Sequence, residues 1–492
     1  MSPCWRFLAG LLGVGAVLVS GACPLEVPLT SELSFSCAND SQCAAGQICL
    51  EHMCVREGLD AMVIDRVAGD ASAMDVVVED VGTADVGMAD VRMTDTRMTD
   101  TRITDAGMMD VRIADAGMTD AAMPDTAMPD TAMPDSTLPA DWWDAAWGWR
   151  QKLVFDNSAQ AEALSDFPVL VALDTDVVDF GQIKDQGEDL RFVDPDSGAA
   201  LAHEIERWDE GGTCIIWVKV PRIEASSNQD FIWMYYGEPD AADAQDVDAV
   251  WSNGYVGVWH MDGDPSGTPE GIPDSSPSAK HGTAINMLAD DLVEGHLGFA
   301  LDFDGSDDVV GINGSHAIGD VLDIVGGPLT LEGWIYPTGG NGTVVAKRND
   351  GSTQWQLQIE HVTAGADFNP SFVRSGISGG SDFWYTSASY SLGSWYHLAV
   401  TAGADGAAQA IYVNGVSVPI TASGSGDLVP RHVPTPVSIG ARWAGPPTPG
   451  FLLTGVIDET RVSATQRSDA WMAAQHLSMT RSFVSFDAAE PR

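Results

Sequence analysis

Basic residues are scarce in this chain of 492 residues: Lys and Arg total 24 against 71 Asp and Glu, a formal charge of -47. Such a surface repels phosphate backbones and anionic lipid headgroups, which argues against nucleic acid as a partner. Long apolar runs are also missing. Beyond the first 22 residues nothing approaches the ~20 consecutive apolar residues that a membrane-spanning helix needs. Helical periodicity is nearly absent, which argues against an α-rich fold. So are the His-Glu-x-x-His zinc motif, the Gly-x-Ser-x-Gly nucleophile elbow and the phosphate-binding loop.

What is present begins with an export signal over 1–22. Arg6 precedes an apolar run from Phe7 to Val19, and the small residues Ser20-Gly21-Ala22 stand before Cys23. Ser20-Gly21-Ala22-Cys23 resembles a bacterial lipoprotein signal, departing from it at Ser20, where leucine is usual. The resemblance implies a lipid thioether on Cys23, which would be the sole membrane attachment. With Pro24 following, it implies sorting to the outer membrane or cell surface. Ser20-x-Ala22 also suits ordinary signal-peptidase cleavage, which leaves a secreted or periplasmic location open.

Of the seven cysteines, Cys4 leaves with the signal, and Cys37, Cys43, Cys49 and Cys54 crowd into 18 residues. Their spacing does not match the C-x2-C pairs of zinc sites, and an oxidising compartment favours two disulfides whose pairing stays open. The segment 23–57 resembles the small cysteine knots near the start of many predatory-bacterial lipoproteins. Cys214 stands alone in the apolar run Thr213 to Val218 and is read as a small buried hydrophobe in a strand.

From Asp60 to Asp135 an aspartate falls at every fifth position. That period advances about 140° per step on a helix, so no apolar stripe forms. Ala84-Asp85-Val86 and Ala89-Asp90-Val91 resemble the pattern of pentapeptide-repeat β-helices. That pattern needs Leu or Phe at its centre, where this chain places Thr96, Thr101, Ala106, Ala116 and Thr126, and Pro124, Pro129 and Pro134 remove backbone donors. The segment 58–140 is therefore predicted to be a disordered, self-repelling acidic stalk.

Composition changes at Asp141. Gln151–Phe155, Pro168–Leu173, Asp189–Val193, Cys214–Val220 and Phe231–Tyr236 read as short strands of a β-sandwich over 141–250. Trp147-x-Trp-Arg150, Asp166-Phe-Pro-Val-Leu-Val171, His203-Glu-Ile-Glu-x-Trp208, Ile216-Trp-Val-Lys-Val-Pro221 and Met234-Tyr-Tyr-Gly237 resemble an uncharacterised domain family (DUF2341) that bacterial surface proteins often place before a LamG module. Glu204 and Glu206, at i and i+2 of a strand, share a face. Paired carboxylates serve glycoside cleavage, but a solvated edge or one paired with Arg207 is the reading preferred.

The stretch 251–490 is a second string of short strands punctuated by Gly, Asp, Asn and Pro. Asn414-Gly415 between apolar runs signals a tight hairpin, and Leu329-Thr-Leu-Glu-Gly-Trp-Ile335 alternates like a half-buried strand. Ala300-Leu-Asp-Phe-Asp-Gly-Ser-Asp-Asp308, Leu329–Ile335, Trp395-Tyr-His-Leu-Ala-Val400, Ile411-Tyr-Val-Asn-Gly415 and Gly455-Val-Ile-Asp-Glu-x-Arg461 resemble the concanavalin A-like, LamG-type superfamily. That resemblance implies a jelly roll, calcium as an ion and recognition of polysaccharide or a glycosylated surface. Asp274 and Asp458, with Asp302 as a third, are the positions it assigns to calcium. Asp458 and Glu459 pairing with Arg461 is the competing reading. The acidic strand runs of jelly-roll glucanases are missing.

The fold class expected is all-β: two β-sandwich or jelly-roll modules after a disordered acidic linker and a small disulfide-rich segment. The function expected is noncatalytic, a surface lipoprotein displaying a lectin-like module for adhesion. A structural or protein-interaction role in the envelope, and a glycoside hydrolase or its accessory, are the alternatives.

Overall fold

The computed structural model describes residues 47–50, 53–56, 142–349, 352–361, 367–375, 381–404, 409–424 and 432–492. The chain divides into two compact units, Met1–Met123 and Pro124–Arg492. In the first, Gln47–Leu50 and Met53–Arg56 pair as an antiparallel hairpin with Cys49 opposite Cys54. The export signal, Cys23, Cys37, Cys43 and the acidic stalk lie outside the described residues.

The second unit is mostly strand, as the sequence pattern requires. Its first sandwich has two sheets. One runs in the order Val484–Phe486, Trp149–Phe155, Phe231–Tyr236, Arg191–Val193 and Ala200–Leu201; the other is Leu164–Leu173, Cys214–Ile223 and His203–Arg207. Between them pack Leu153, Phe155, Phe167, Val169, Val171, Phe192, Ile216, Val218 and Met234, all at most 2% exposed.

The run Cys214-Ile-Ile-Trp-Val218 shows no alternation because every one of its residues is buried. Its sheet is covered on both faces, which favours continuous apolar sequence. Ile216 and Val218 pair with Val171 and Val169 in the sandwich core. Trp217, on the opposite face, reaches Trp251 and Arg461. Cys214 is a free, buried thiol, and burial pushes its pKa up to about 11.

The second sandwich pairs an eight-stranded sheet, centred on Thr454–Ser463 and Leu329–Pro337, with a nine-stranded sheet centred on Gly342–Asn349, Ser352–Glu360 and Asp367–Ser375. Leu331, Ile335, Val345, Trp355, Leu357, Phe372, Leu398, Val400 and Ile457 fill the space between. Leu329–Pro337 departs from the half-buried expectation. Leu329, Leu331 and Ile335 face this core, but Thr330, Glu332 and Trp334 are also at most 2% exposed. Their face is covered, with Trp334 part of the core cluster that includes the first sandwich.

Strand pairing also divides the chain differently from a cut at residue 250. The helix Asp469–Met479, capped by Ser468 Oγ on the Trp471 amide, packs on Leu164–Leu173. Trp471 meets Phe167 edge-on at 4.8 Å. Val484–Phe486 and Glu490–Pro491 then both pair with Trp149–Phe155. The end of the chain thus completes the first sandwich, and the jelly roll sits inside it in sequence.

Candidate functional site

The side chains of Glu204 and Glu206 leave His203–Arg207 on one face, as their spacing requires. That face is neither a solvated edge nor paired with Arg207, correcting the reading from sequence. Arg207 instead binds Asp209 and Glu294, both at 3.0 Å. The two glutamates point into the junction of the sandwiches, where their side chains are 9% and 1% exposed.

They meet His260, which directly follows the strand Tyr255–Trp259 and is 4% exposed. Its Nδ1 lies 3.2 Å from Glu206 Oε2 and 2.7 Å from Glu459 Oε1, and its Nε2 lies 3.4 Å from Glu204 Oε2. Surrounding donors hold the carboxylates. Trp217 Nε1 donates to Glu206 Oε2 at 2.7 Å, Trp251 Nε1 to Glu204 Oε2 at 2.6 Å, and Ser275 Oγ to Glu204 Oε1 at 2.7 Å. Arg461 donates to Glu459 Oε2 and stacks over the rings of Trp217 and Trp251 at 4.3 and 4.6 Å.

The electrostatics follow from burial among charges. Burial opposes protonation of His260, but Glu459, Glu206 and Glu204 outweigh it and raise the imidazole pKa well above its usual value. Burial would raise the Glu459 carboxyl, yet His260 and Arg461 hold it down to about 2. For Glu206 and Asp458, burial and then the Glu459 charge push the pKa well up. Burial and mutual charge thus push the acidities of the clustered carboxyls apart.

The residues expected to bind calcium do not converge. Asp274 is buried and committed: its oxygens accept from the amides of Val258, Ser276 and Lys280 at 2.8, 2.9 and 2.7 Å, and from the hydroxyls of Ser276 and Ser278, both at 3.0 Å. Asp458 is fully buried and accepts from the Leu297 amide at 2.8 Å. Asp302 sits exposed on Phe299–Asp304. Among the described residues, two groups bring three metal-competent side chains together: Glu206, His260 and Glu459, and the loop residues Asp304, Asp307 and Asp308. Of the competing ion pair, Glu459 makes the contact to Arg461.

Sequence reasoning missed His260 and the role of Glu459. Glu459 has a left-handed backbone, φ 53°, at a bulge opposite Gly333. That local geometry buries both it and Asp458. Ile-Asp-Glu written as a regular strand would send the two to opposite faces.

A second polar cluster lies on the nine-stranded sheet, mostly buried and exposed at one end. On the nine-stranded sheet, the face opposite Leu357, Phe372 and Trp384 carries a cross-strand row of Thr343, Gln358, Ser371, Tyr385 and Thr421. Beside it run Ser438, Ala346, Gln356, Val373 and Phe383. Gln358 Oε1 and Ser371 Oγ are buried without a hydrogen-bond partner, while Phe383 and Tyr385 are half-buried and Thr421 is exposed.

These two sandwiches define an all-β class that the comparisons specify further. Residues 305–473 match the concanavalin A-like lectin/glucanases superfamily, and 186–265 match a domain of unknown function, DUF2341, in the order expected. No curated protein matches the chain. Among solved structures, the binding domain of Paraclostridial Mosquitocidal Protein 1 is 14% identical, covering 46% of this chain and 53% of that one, with a TM-score of 0.34. The chain therefore spans about half of that structure's length. Domain 4 of a GH43 extracellular arabinanase from Geobacillus stearothermophilus, in complex with arabinotriose, is 16% identical over 44% of this chain and 96% of that one, TM-score 0.30. A heptameric SAP-like pentraxin from Limulus polyphemus is 14% identical over 36% and 80%, TM-score 0.25.

Proposed function

We propose that the chain is a noncatalytic surface-display protein whose jelly roll binds polysaccharide or a glycosylated surface. The observation that carries this reading is the polar row on the nine-stranded sheet. Buried sheet faces are ordinarily apolar, and an unpaired buried amide oxygen or hydroxyl costs roughly 1–3 kcal/mol. Here Gln358 Oε1 and Ser371 Oγ lack partners, and the row continues to Tyr385 and Thr421 at an accessible end. Amides and hydroxyls fix sugar hydroxyls, and a ring such as Tyr385 or Phe383 offers a platform for a sugar's apolar face. The match to a lectin and glucanase superfamily supports the same class of ligand.

The noncatalytic part rests on where the paired carboxylates sit. Glu204 and Glu206 are bound to Trp251, Ser275 and Trp217 inside the molecule, whereas glycoside cleavage needs two carboxyls flanking an open sugar site. Export and lipid attachment through Cys23 come from the sequence. They complete the proposal of a tethered module held out by the acidic stalk, and calcium remains a proposed ion of the jelly roll.

A glycan array probed with the full chain, with and without chelator, tests the reading. Binding to a defined set of glycans that weakens in Tyr385→Ala and Gln358→Ala is the expected result. Silence under both conditions would sink the lectin assignment and leave a structural envelope role. Labelling with a lipid precursor, abolished in Cys23→Ser, tests the anchor separately.

A further inference from the structure

We propose that Glu206, His260 and Glu459 form a binding site for one divalent transition-metal ion, zinc in preference to calcium, at the junction of the two sandwiches. One ligand comes from each of three separate pieces of the fold: the edge strand of the first sandwich, the residue following Tyr255–Trp259, and the central strand of the jelly roll. Their donor atoms all lie within 4.8 Å of one another.

The spacing suits a small ion. Ligands 2.0–2.1 Å from tetrahedral zinc stand about 3.3 Å apart. Here His260 Nδ1 is 3.2 Å from Glu206 Oε2 and 2.7 Å from Glu459 Oε1, so slight spreading admits the ion. A second observation points to a missing partner. The Glu206 side chain is 1% exposed, yet its Oε1 has no hydrogen-bond partner. Orphaned carboxylate oxygens inside a protein are costly unless an unseen group satisfies them.

A ligating imidazole turns its other nitrogen to a carboxylate; His260 Nε2 makes no hydrogen bond, but Glu204 Oε2 lies within ion-pair range of it at 3.4 Å. Glu204 is in turn fixed by Trp251 and Ser275, Glu206 by Trp217, and Glu459 by Arg461. An imidazole nitrogen in the set favours zinc or cobalt over calcium and manganese, which prefer oxygen ligands.

The ion would cross-link the sandwiches. The test uses the full chain, stripped with chelator, loaded in turn with Zn2+, Co2+, Mn2+ or Ca2+, and analysed for metal after gel filtration. One equivalent of zinc or cobalt is expected, with a cobalt visible spectrum free of thiolate charge-transfer bands. Glu206→Gln and Glu459→Gln should each weaken binding tenfold or more. Variants with Asp304 and Asp308 changed to Asn, or with Cys37, Cys43, Cys49 and Cys54 changed to Ser, should bind normally. No retained metal in the wild type overturns the proposal, as does loss confined to the aspartate or cysteine variants. If the glutamate variants do not fold, the wild-type cobalt spectrum decides: nitrogen and oxygen ligation sustains the site, and thiolate bands or no change refute it.

Discussion

Phe483, near the end of the chain, stacks on Phe155 of the first sandwich with ring centroids 6.1 Å apart. Phe483 is 1% exposed and also touches Phe167. Phe483 is therefore part of the first sandwich's core, and the exposed residues that follow it are held by strand pairing. Phe483→Ala is expected to cost about 3–5 kcal/mol, as for large buried aromatics. Removing 481–492 should cost more, since it also strips Val484–Phe486 and Glu490–Pro491 from Trp149–Phe155. Guanidinium unfolding of the full chain, followed by tryptophan fluorescence, checks both. An unshifted midpoint in the truncated chain would show that the first sandwich folds without the returning segment.

Arg461 joins the modules through charge as well as packing. Its side chain is fully buried against Glu459, Trp217 and Trp251. Arg461→Met keeps the volume but leaves the Glu459 carboxylate with His260 as its remaining close cation. Breaking a buried ion pair on one side costs about 3–5 kcal/mol. Arg461→Met combined with Glu459→Gln is expected to recover part of that loss, so the cycle should show coupling. Purely additive losses in urea melts would mean that Arg461 acts by packing alone.

Much of the fold was legible in local pattern, and the junction was not, for physical reasons. Strands show in runs such as Phe231–Tyr236, and Asn414-Gly415 marks a hairpin that the structure builds with φ of 51° and 73° at those residues. Continuous apolar runs also announce strands, but they do not say which neighbour covers each face. Trp217 and Ile216 look alike in sequence, yet one faces the jelly roll and the other the first core. Glu204 and Glu206 could be placed on one face from spacing alone. Their partners His260 and Glu459 come from distant parts of the chain, the latter through a bulge that Ile-Asp-Glu does not announce. The return of 469–492 is hidden because Val484–Phe486 is a strand of three residues, short enough to read as a loop.

The sugar-binding proposal makes a prediction separable from stability. Tyr385 is half-buried at the accessible end of the polar row, outside the packed core between the sheets. Tyr385→Ala should therefore leave the thermal midpoint nearly unchanged while weakening any glycan bound there by about 1–3 kcal/mol, taking the order that holds when a ring stacking on a nucleic-acid base is removed. Calorimetry with a glycan identified on the array measures it. Full affinity in the variant would move the binding surface elsewhere on the jelly roll.

Acid should destabilise the first sandwich through His203. This imidazole is 1% exposed, edge-on to Phe192 at 5.4 Å. Burial, and then the Arg191 charge, push its pKa down to about 4, with a smaller opposing pull from Asp243. An unfolded histidine titrates near 6.5, so between those values the unfolded chain binds a proton that the folded chain refuses. Its contribution is intact above pH 6.5 and is lost progressively as pH falls towards about 4, a change on the order of 3 kcal/mol for a shift of that size. His296 and His476, also held down to about 4 chiefly by burial, add to the same acid limb. His203→Phe removes one titration while keeping an aromatic ring. Its unfolding free energy, measured by denaturant at several values between pH 7 and 4, should fall less steeply than that of the parent chain. Parallel curves for the two proteins would exclude His203 as a source of acid sensitivity.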